Sequence, residues 1–413
     1  MDTLRHRIVE NLKHPDICKG ENRHPVYAAL QSESPVHWNS SLKGWVVTKY
    51  SDIRDVLSSE KFSVGKLQPF LDQSSGPDKD KIATLVQIMR HWAPFLDPPE
   101  HGRIRMALQR GFMPRRIAEL DSMIRSTVDG LLDAVTDKEE MDFINEFAFP
   151  LPTLVLAQMF GVPEKDIHRV KTWSGDIGQF VLGDTANGDK YRDACQSMVD
   201  MHEYFTFLVE HHIDKPQINL TSSLIESMSD PDGLTKEEIV SSLVLIMFAG
   251  HETTTKALGN CLLNFVRNEE QFRLLKENPE LIPKSVEEFL RFDGSVPIMV
   301  RTVKESVRIR DELLKVGDRV FLVLSAGNRD PDHFDEPNKL DVTRERVPHI
   351  QFGYGIHTCL GAALARLEMK IALERILDRF TSFELIVPEE DLEWHTEIMS
   401  HGVKSLNVRF KRK

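Results

Sequence analysis

One cysteine in this chain has neighbours that suit it to hold a metal. The stretch Phe352-Gly353-Tyr354-Gly355-Ile356-His357-Thr358-Cys359-Leu360-Gly361 sets a single thiol between a glycine-rich turn and a helical pattern running from Ala362 to Arg379. A cysteine just before a helix start lies where unbonded backbone N–H groups and the helix dipole favour negative charge. Gly353, Gly355 and Gly361 remove side chains where backbone bends tightly or must approach a flat ligand. A lone thiol in a turn is more often a small buried hydrophobe. Against that reading, Phe352, Gly355, Cys359 and Gly361 are fixed together within one short turn.

A second set of reactive side chains lies upstream. Thr235 and Glu238 make a capping-box pattern, and apolar residues at helical spacing then run to about Val266. At 1.5 Å per residue such a helix spans roughly 50 Å. Its middle, Phe248-Ala249-Gly250-His251-Glu252-Thr253-Thr254-Thr255, is poor material for a buried helix. Glycine there costs about 1 kcal/mol against alanine, and threonines add to the loss. In the bland account Thr253 and Thr254 bond back to carbonyls one turn earlier while Glu252 finds a surface cation. Local rule-breaking more often marks function, and an acid beside a hydroxyl can pass protons.

The Cys359 loop closely resembles the haem-binding loop of the cytochrome P450 family, and Ala249 to Thr253 resembles that family's oxygen-activation segment. The resemblance implies Cys359 as axial ligand to the iron of haem b, iron protoporphyrin IX, in a loop shaped by Phe352, Gly355 and Gly361. It implies that Ala249 and Gly250 leave room beside the iron and that Thr253 hydrogen-bonds the O2 being activated. Glu252 would feed protons inward from solvent; many members carry Asp there, and the longer acid keeps the role. Glu288 and Arg291, at i, i+3, are worth only a few tenths of a kcal/mol as an ordinary helix pair. By resemblance they are the family's Glu-x-x-Arg pair, a structural support that bonds the segment Asp330 to Val347. Haem propionates want charge-assisted donors. His101 and Arg105 share a helix face at i, i+4, Arg301 leaves an extended run, and His357 stands two residues before Cys359. Each reads singly as a surface residue; all four match family propionate-binding positions.

These residues need a scaffold that brings 101, 252, 301 and 359 together. The chain has 413 residues, 41% hydrophobic and 28% charged, which is ordinary for a globular protein. No run approaches the ~18 apolar residues of a membrane helix, and Met1 to Arg7 lacks a signal-peptide core. The expectation is a cytoplasmic protein without the N-terminal anchor of microsomal members, of the soluble bacterial type. The net charge of −12 disfavours a nucleic-acid partner. Cys18, Cys195, Cys261 and Cys359 form no Cys-x-x-Cys pair, so neither zinc site nor disulfide framework is indicated.

Patterning predicts a mainly α fold with a small β part (α+β), a single domain over 1–413. Its helix-rich parts fall at about 98–292 and 360–380, its β-rich parts at about 35–50, 296–325 and 383–410. An irregular lead-in fills 1–34. Ser51 is expected to cap one helix and Asp97, before Pro98 and Pro99, another. From Ser63 to Lys81 a polar loop is predicted, and Gly183 to Gly188 breaks two helices.

The resemblance implies a distal substrate cavity lined by the loop around Leu67–Phe95, the helix pair around Phe180 to Met201, Val244, Met247 and Phe248, then Val296, Ile298, Met299, Ile398 and Met399. Methionine and aromatic content suits a hydrophobic small-molecule substrate. With no flavin or iron–sulfur domain in the sequence, electrons are expected from a ferredoxin or flavodoxin with its reductase. Arg103, Arg110, Arg115, Arg116, Arg366 and Lys370 would give it a basic docking face. A monomer is the family default. The function expected is a haem-thiolate monooxygenase hydroxylating or epoxidising its substrate. A peroxide-driven peroxygenase and a non-catalytic haem carrier or sensor are the alternatives, and neither needs the Glu252–Thr253 pair. A zinc hydrolase built on Cys359 and His357 fails for want of ligands.

Overall fold

The computed structural model describes residues 23–65, 67, 79–182 and 188–413. The lead-in before Arg23 with Cys18, most of the polar loop after Ser63, and residues 183–187 of the helix break lie outside the described residues. The architecture is helix-rich with small sheets, as the patterning predicts.

The longest helix is Lys236–Arg267, and at 1.5 Å per residue its 32 residues extend roughly 48 Å. It starts as expected: the Thr235 hydroxyl accepts from the Glu238 N–H while the Glu238 carboxylate accepts from the Thr235 N–H. Helices Pro150–Phe160, Ile167–Leu182, Gly188–Asp214, Ile282–Asp293 and Ala362–Arg379 pack around it. Close approach needs small residues. A methyl on Gly250 would come within 2.9 Å of Leu156 Cδ1. Gly250 therefore serves helix packing against Pro150–Phe160, which corrects the expectation that it opens space beside a ligand.

A five-stranded sheet carries, in order across it, Val36–Asn39, Gly44–Val47, Arg319–Val323, Ile298–Val303 and Phe62–Ser63. The hairpin turn after Val36–Asn39 is closed by Asn39 Oδ1, which accepts from the Leu42 N–H at 2.9 Å. In Ile298–Val303 the faces alternate. Ile298 packs with Val26, Tyr27 and Leu30, while Arg301 and Met299 point to the opposite face. The other sheet strands are Glu140–Asp142, Asn407–Arg412 and Phe380–Leu385, with a two-stranded ribbon at Val307–Ile309 and Glu312–Leu314. Two capping expectations fail. The helix Tyr50–Ser58 has no side-chain cap of its own, and Asp330 reaches across to accept the Tyr50 N–H at 2.9 Å. Asp97 instead accepts from the Ser63 hydroxyl and the Val64 N–H, so Glu100–Gln109 also starts without a side-chain cap.

Helix Ile282–Asp293 locks the segment before Cys359. Arg291 donates to both Glu288 oxygens at 2.7 and 2.8 Å and to the carbonyls of Asn328, Pro337 and Lys339 at 2.9, 2.9 and 3.1 Å. Glu288 also accepts from the Asp341 N–H and from Arg344. Both members are buried, so this is no surface pair. Next to it, Glu287 accepts from Arg366 at 2.6 and 2.8 Å and lies 3.1 Å from His349 Nε2. Although burial opposes ionisation, those two partners hold its carboxyl down at about 2.

Removing one partner of a fully buried ion pair strands the other. Glu288→Ala is expected to destabilise by about 3–5 kcal/mol in denaturant unfolding. Because the folded Glu287 carboxyl lies below the unfolded value near ~4.3, its stabilisation is complete above that value. It is lost as pH falls toward 2, so Glu287→Gln should flatten the acid limb of the stability–pH curve there.

Candidate functional site

The turn ending at Cys359 closes on itself. The Cys359 N–H donates to the Phe352 carbonyl at 2.8 Å, and the Thr358 hydroxyl to the Gly355 carbonyl at 2.7 Å. Gly353 and Gly355 have φ of +71° and +75°, a region where a Cβ is strained. A side chain on Gly355 would also come within 2.8 Å of the Leu57 carbonyl oxygen. Gly361 has ordinary φ, and a Cβ there would meet no protein atom within 4 Å. The backbone beside Cys359 is thus open on that side. Phe352 braces the turn under the Arg366 guanidinium, 4.5 Å from its ring centre.

Burial pushes the Cys359 thiol up, against backbone N–H groups of Gly361 and Ala362 and the charges of Arg105 and Arg366, which pull it down. By surface area the same residue is exposed. Many protein groups surround the sulfur, yet one side of it stays uncovered.

Four basic side chains converge beside it. Arg105 donates to the Thr358 carbonyl at 2.6 Å, fixing helix Glu100–Gln109 to the loop. The His101 ring centre lies 4.1 Å from that of His357. Arg301, buried on the Met299 face of its strand, donates only to its neighbour's carbonyl at Val300, 3.0 Å away. Burial lowers Arg301 to about 10, and burial with His101 and Arg301 pushes His357 down to about 3. Asp97 is the one carboxylate that opposes these shifts. Two guanidiniums thus face one carboxylate, itself engaged by Ser63 and Val64, while His101 Nε2 and Arg105 Nε are buried without a hydrogen-bond partner. Buried donors left unmatched are costly. The arrangement suits an anionic ligand.

On the long helix the threonines bond back as the bland account holds: Thr253 to the Ala249 carbonyl at 3.1 Å, Thr254 to Gly250 at 3.2 Å and Thr255 to His251 at 2.9 Å. Glu252 finds a cation too, but a buried one. Lys256 Nζ, one turn on, lies 2.5 Å from Glu252 Oε1 and 2.5 Å from the Ser400 hydroxyl. Burial favours the neutral acid, but Lys256 and His251 outweigh it and lower the Glu252 carboxyl. His251 packs inward, its Nδ1 2.9 Å from the Met247 carbonyl.

Several pocket expectations need correction. Val244 and Met247 expose no surface and are packed core. Ile298, as its strand register shows, faces the N-terminal helix. Phe248 stacks on Trp92, ring centres 6.1 Å apart, and Phe95 stacks on Trp92 as well at 5.6 Å. Val296, Met299, Ile398 and Met399 are half-buried; Phe180 and most of the loop from Leu67 lie outside the described side chains. The expected basic face is also altered, because every member carries an acid: Arg103 with Glu238, Arg110 with Asp230, Arg366 with Glu287 and Lys370 with Glu374. Arg115 and Arg116 sit 3.9 and 3.5 Å from Glu119, and these two with Arg110 remain largely in solvent.

Sequence reasoning missed Lys256 and the Glu287–His349–Arg366 cluster. The Glu252/Lys256 spacing of i, i+4 was a visible signal, but nothing in it shows that the pair is buried. No helix among the described residues is long and apolar enough to cross a membrane.

Comparison with known proteins places this geometry. Residues 180–403 match the family described as Cytochrome P450. The chain is 33% identical over 399 residues to Cytochrome P450 107B1 of Saccharopolyspora erythraea, covering 95% of this chain and 96% of that one. To the Vitamin D(3) 25-hydroxylase of Pseudonocardia autotrophica it is 35% identical over 393 residues, 94% of each. The solved structure of P450BioI with acyl carrier protein ligated to hexadec-9Z-enoic acid superposes with a TM-score of 0.87 at 33% identity, covering 95% and 99%. With fold, sequence and the setting of its cysteine in agreement, the chain belongs to the cytochrome P450 family of haem-thiolate monooxygenases.

Proposed function

We propose that this enzyme inserts one atom of O2 into a hydrophobic small molecule, by hydroxylation or epoxidation, with Cys359 as axial iron ligand and Glu252 and Thr253 delivering protons. The observation that carries the site assignment is the pair of guanidiniums, Arg105 and Arg301, gathered with the rings of His101 and His357 beside the exposed thiol of Cys359. Those four would hold the two propionates of haem b, and the unbonded His101 Nε2 and Arg105 Nε fit that need. The open edge at Gly361 suits a flat ring. No Cys-x-x-Cys-His stands in the sequence to attach the ring covalently.

Bound there, haem iron supplies dioxygen activation, and a thiolate ligand donates the electron density that favours O–O cleavage. The chain's own part is positioning and proton supply. Backbone N–H groups of Gly361 and Ala362, with Arg105 and Arg366, stabilise the sulfur as an anion. Thr253 is held by its bond to the Ala249 carbonyl, beside the small side chain that leaves space on the helix. Its oxygen keeps a lone pair for a proton arriving from Glu252. Trp92, Phe95 and Phe248 form an apolar wall that keeps bulk water away. A hydrophobic substrate follows, of the size class that the relatives' names state for them: a vitamin D, or an acyl chain on its carrier. The electron donor is a ferredoxin or flavodoxin with its reductase. It would meet the Cys359 side, where Ile356 of the loop is exposed, as are Met106 and Met113 on the segments that carry Arg115 and Arg116. We take the working unit to be the monomer, one domain.

Turnover separates this reading from a peroxygenase or carrier. With NADPH and surrogate redox partners, a panel of lipophilic molecules should yield oxygenated product. Thr253→Ala and Glu252→Gln should each cut product per NADPH by about tenfold or more, since positioned proton transfer contributes roughly 10²–10⁴-fold, with hydrogen peroxide released instead. Product from peroxide alone, indifferent to both substitutions, would identify a peroxygenase; none under either condition, a carrier.

A further inference from the structure

Lys256 is buried within the long helix, yet no step above uses it. Its ammonium touches two groups from different parts of the chain: the Glu252 carboxylate one turn back and the Ser400 hydroxyl, 144 positions ahead in the C-terminal segment. Room for its stem comes from Gly402, where a Cβ would lie 2.8 Å from Lys256 Cγ and 2.9 Å from its Cβ. On the other flank Gly178 backs Glu252, a Cβ there lying 3.7 Å from its Cδ. Well-packed apolar side chains commonly match or exceed the stability of a buried ion pair, so stability alone gives little reason for a lysine here.

We propose that Lys256 is a positioning residue for oxygen activation: pinned by Ser400, its ammonium turns the Glu252 carboxylate toward the C-terminal segment and holds it as an anion, so that proton supply to Thr253 passes through this link. The inference rests on reading Glu252 as the proton-delivering acid. The groups facing the link are few. His251 Nε2 lies 3.8 Å from Glu252 Oε2, and burial pushes that ring's pKa down against the pull of the acid. From the C-terminal segment, His395 and Glu397 pair at 3.4 Å, and their charges act on Glu252 and Lys256 respectively. Lys171, on helix Ile167–Leu182, adds positive charge on the His251 side. Half-buried His395 and Glu397 are thus the outer end of a route whose inner end is Glu252, with Lys256 and Ser400 between. Ile398 and Met399 lie in the same short segment, so a substrate resting on them would bear on Ser400 and through it on the acid.

Removing the cation takes from a buried carboxyl the partner that does most to keep it ionised. In the haem-loaded enzyme, Lys256→Met should therefore show the infrared C=O band of a protonated carboxyl at neutral pH, absent in the parent and absent again in Lys256→Met/Glu252→Gln. The pH profile of product per NADPH should move by about one to three units, while Lys256→Arg restores the parent behaviour and Ser400→Ala gives a smaller shift of the same sign. If Lys256→Met leaves both band and profile unchanged, the inference is overturned. Should Lys256→Met fail to retain haem, the Ser400→Ala profile decides: a shift supports the link and no shift refutes it. If instead Glu252→Gln alone leaves product per NADPH unaltered, the reading of Glu252 itself fails, whichever way Lys256 behaves.

Discussion

Around Cys359 more positive charge is buried than negative, and the structure depends on something answering that imbalance. Arg105 and Arg301 cannot shed their protons at any ordinary pH. Asp97 is already engaged by Ser63 and Val64. Burial, with the neighbouring cations, pushes His357 and His101 down further than Asp97 pulls them up. The haem proposed for this site would answer the imbalance: its propionates would offer acceptors to these donors, and its iron would take the place of the proton that burial otherwise keeps on the thiol. The remaining architecture holds the parts of that cradle in register. Arg105 ties one helix to the Cys359 loop, Arg291 and Glu288 lock the segment before it, and the strand face of Met299 and Arg301 closes the side.

The opposite wall obeys a different rule. The long helix keeps its carbonyl ladder while spending hydroxyls on it, since three consecutive threonines each bond back one turn. That leaves Glu252 as the reactive group of the turn, and a buried lysine decides its state.

Much of this was legible in the sequence because it is written locally. The capping box at Thr235 and Glu238, the glycine turn before Cys359 and the periodicity of the long helix each need only a few adjacent residues. Whatever depended on tertiary partners was not legible. Glu288 and Arg291 look like a surface pair until three distant carbonyls are seen around the guanidinium. Asp97 looks like a helix cap, but a strand takes its carboxylate; Asp330 caps a helix 280 positions away. Gly250 looks like space for a ligand and proves to be space for Leu156. Val244 and Met247 lie on the same helix as Glu252 and Thr253 but turn into the core, a rotation that periodicity alone does not fix to one residue.

The sulfur–iron bond is the claim with the most resting on it, and a spectrum reads it directly. The purified protein, reduced under carbon monoxide, should show the red-shifted absorption band of a thiolate-ligated haem, and Cys359→Ala should lose that band even where haem stays bound. A parent protein without the band, or a Cys359→Ala variant that keeps it, would contradict the account.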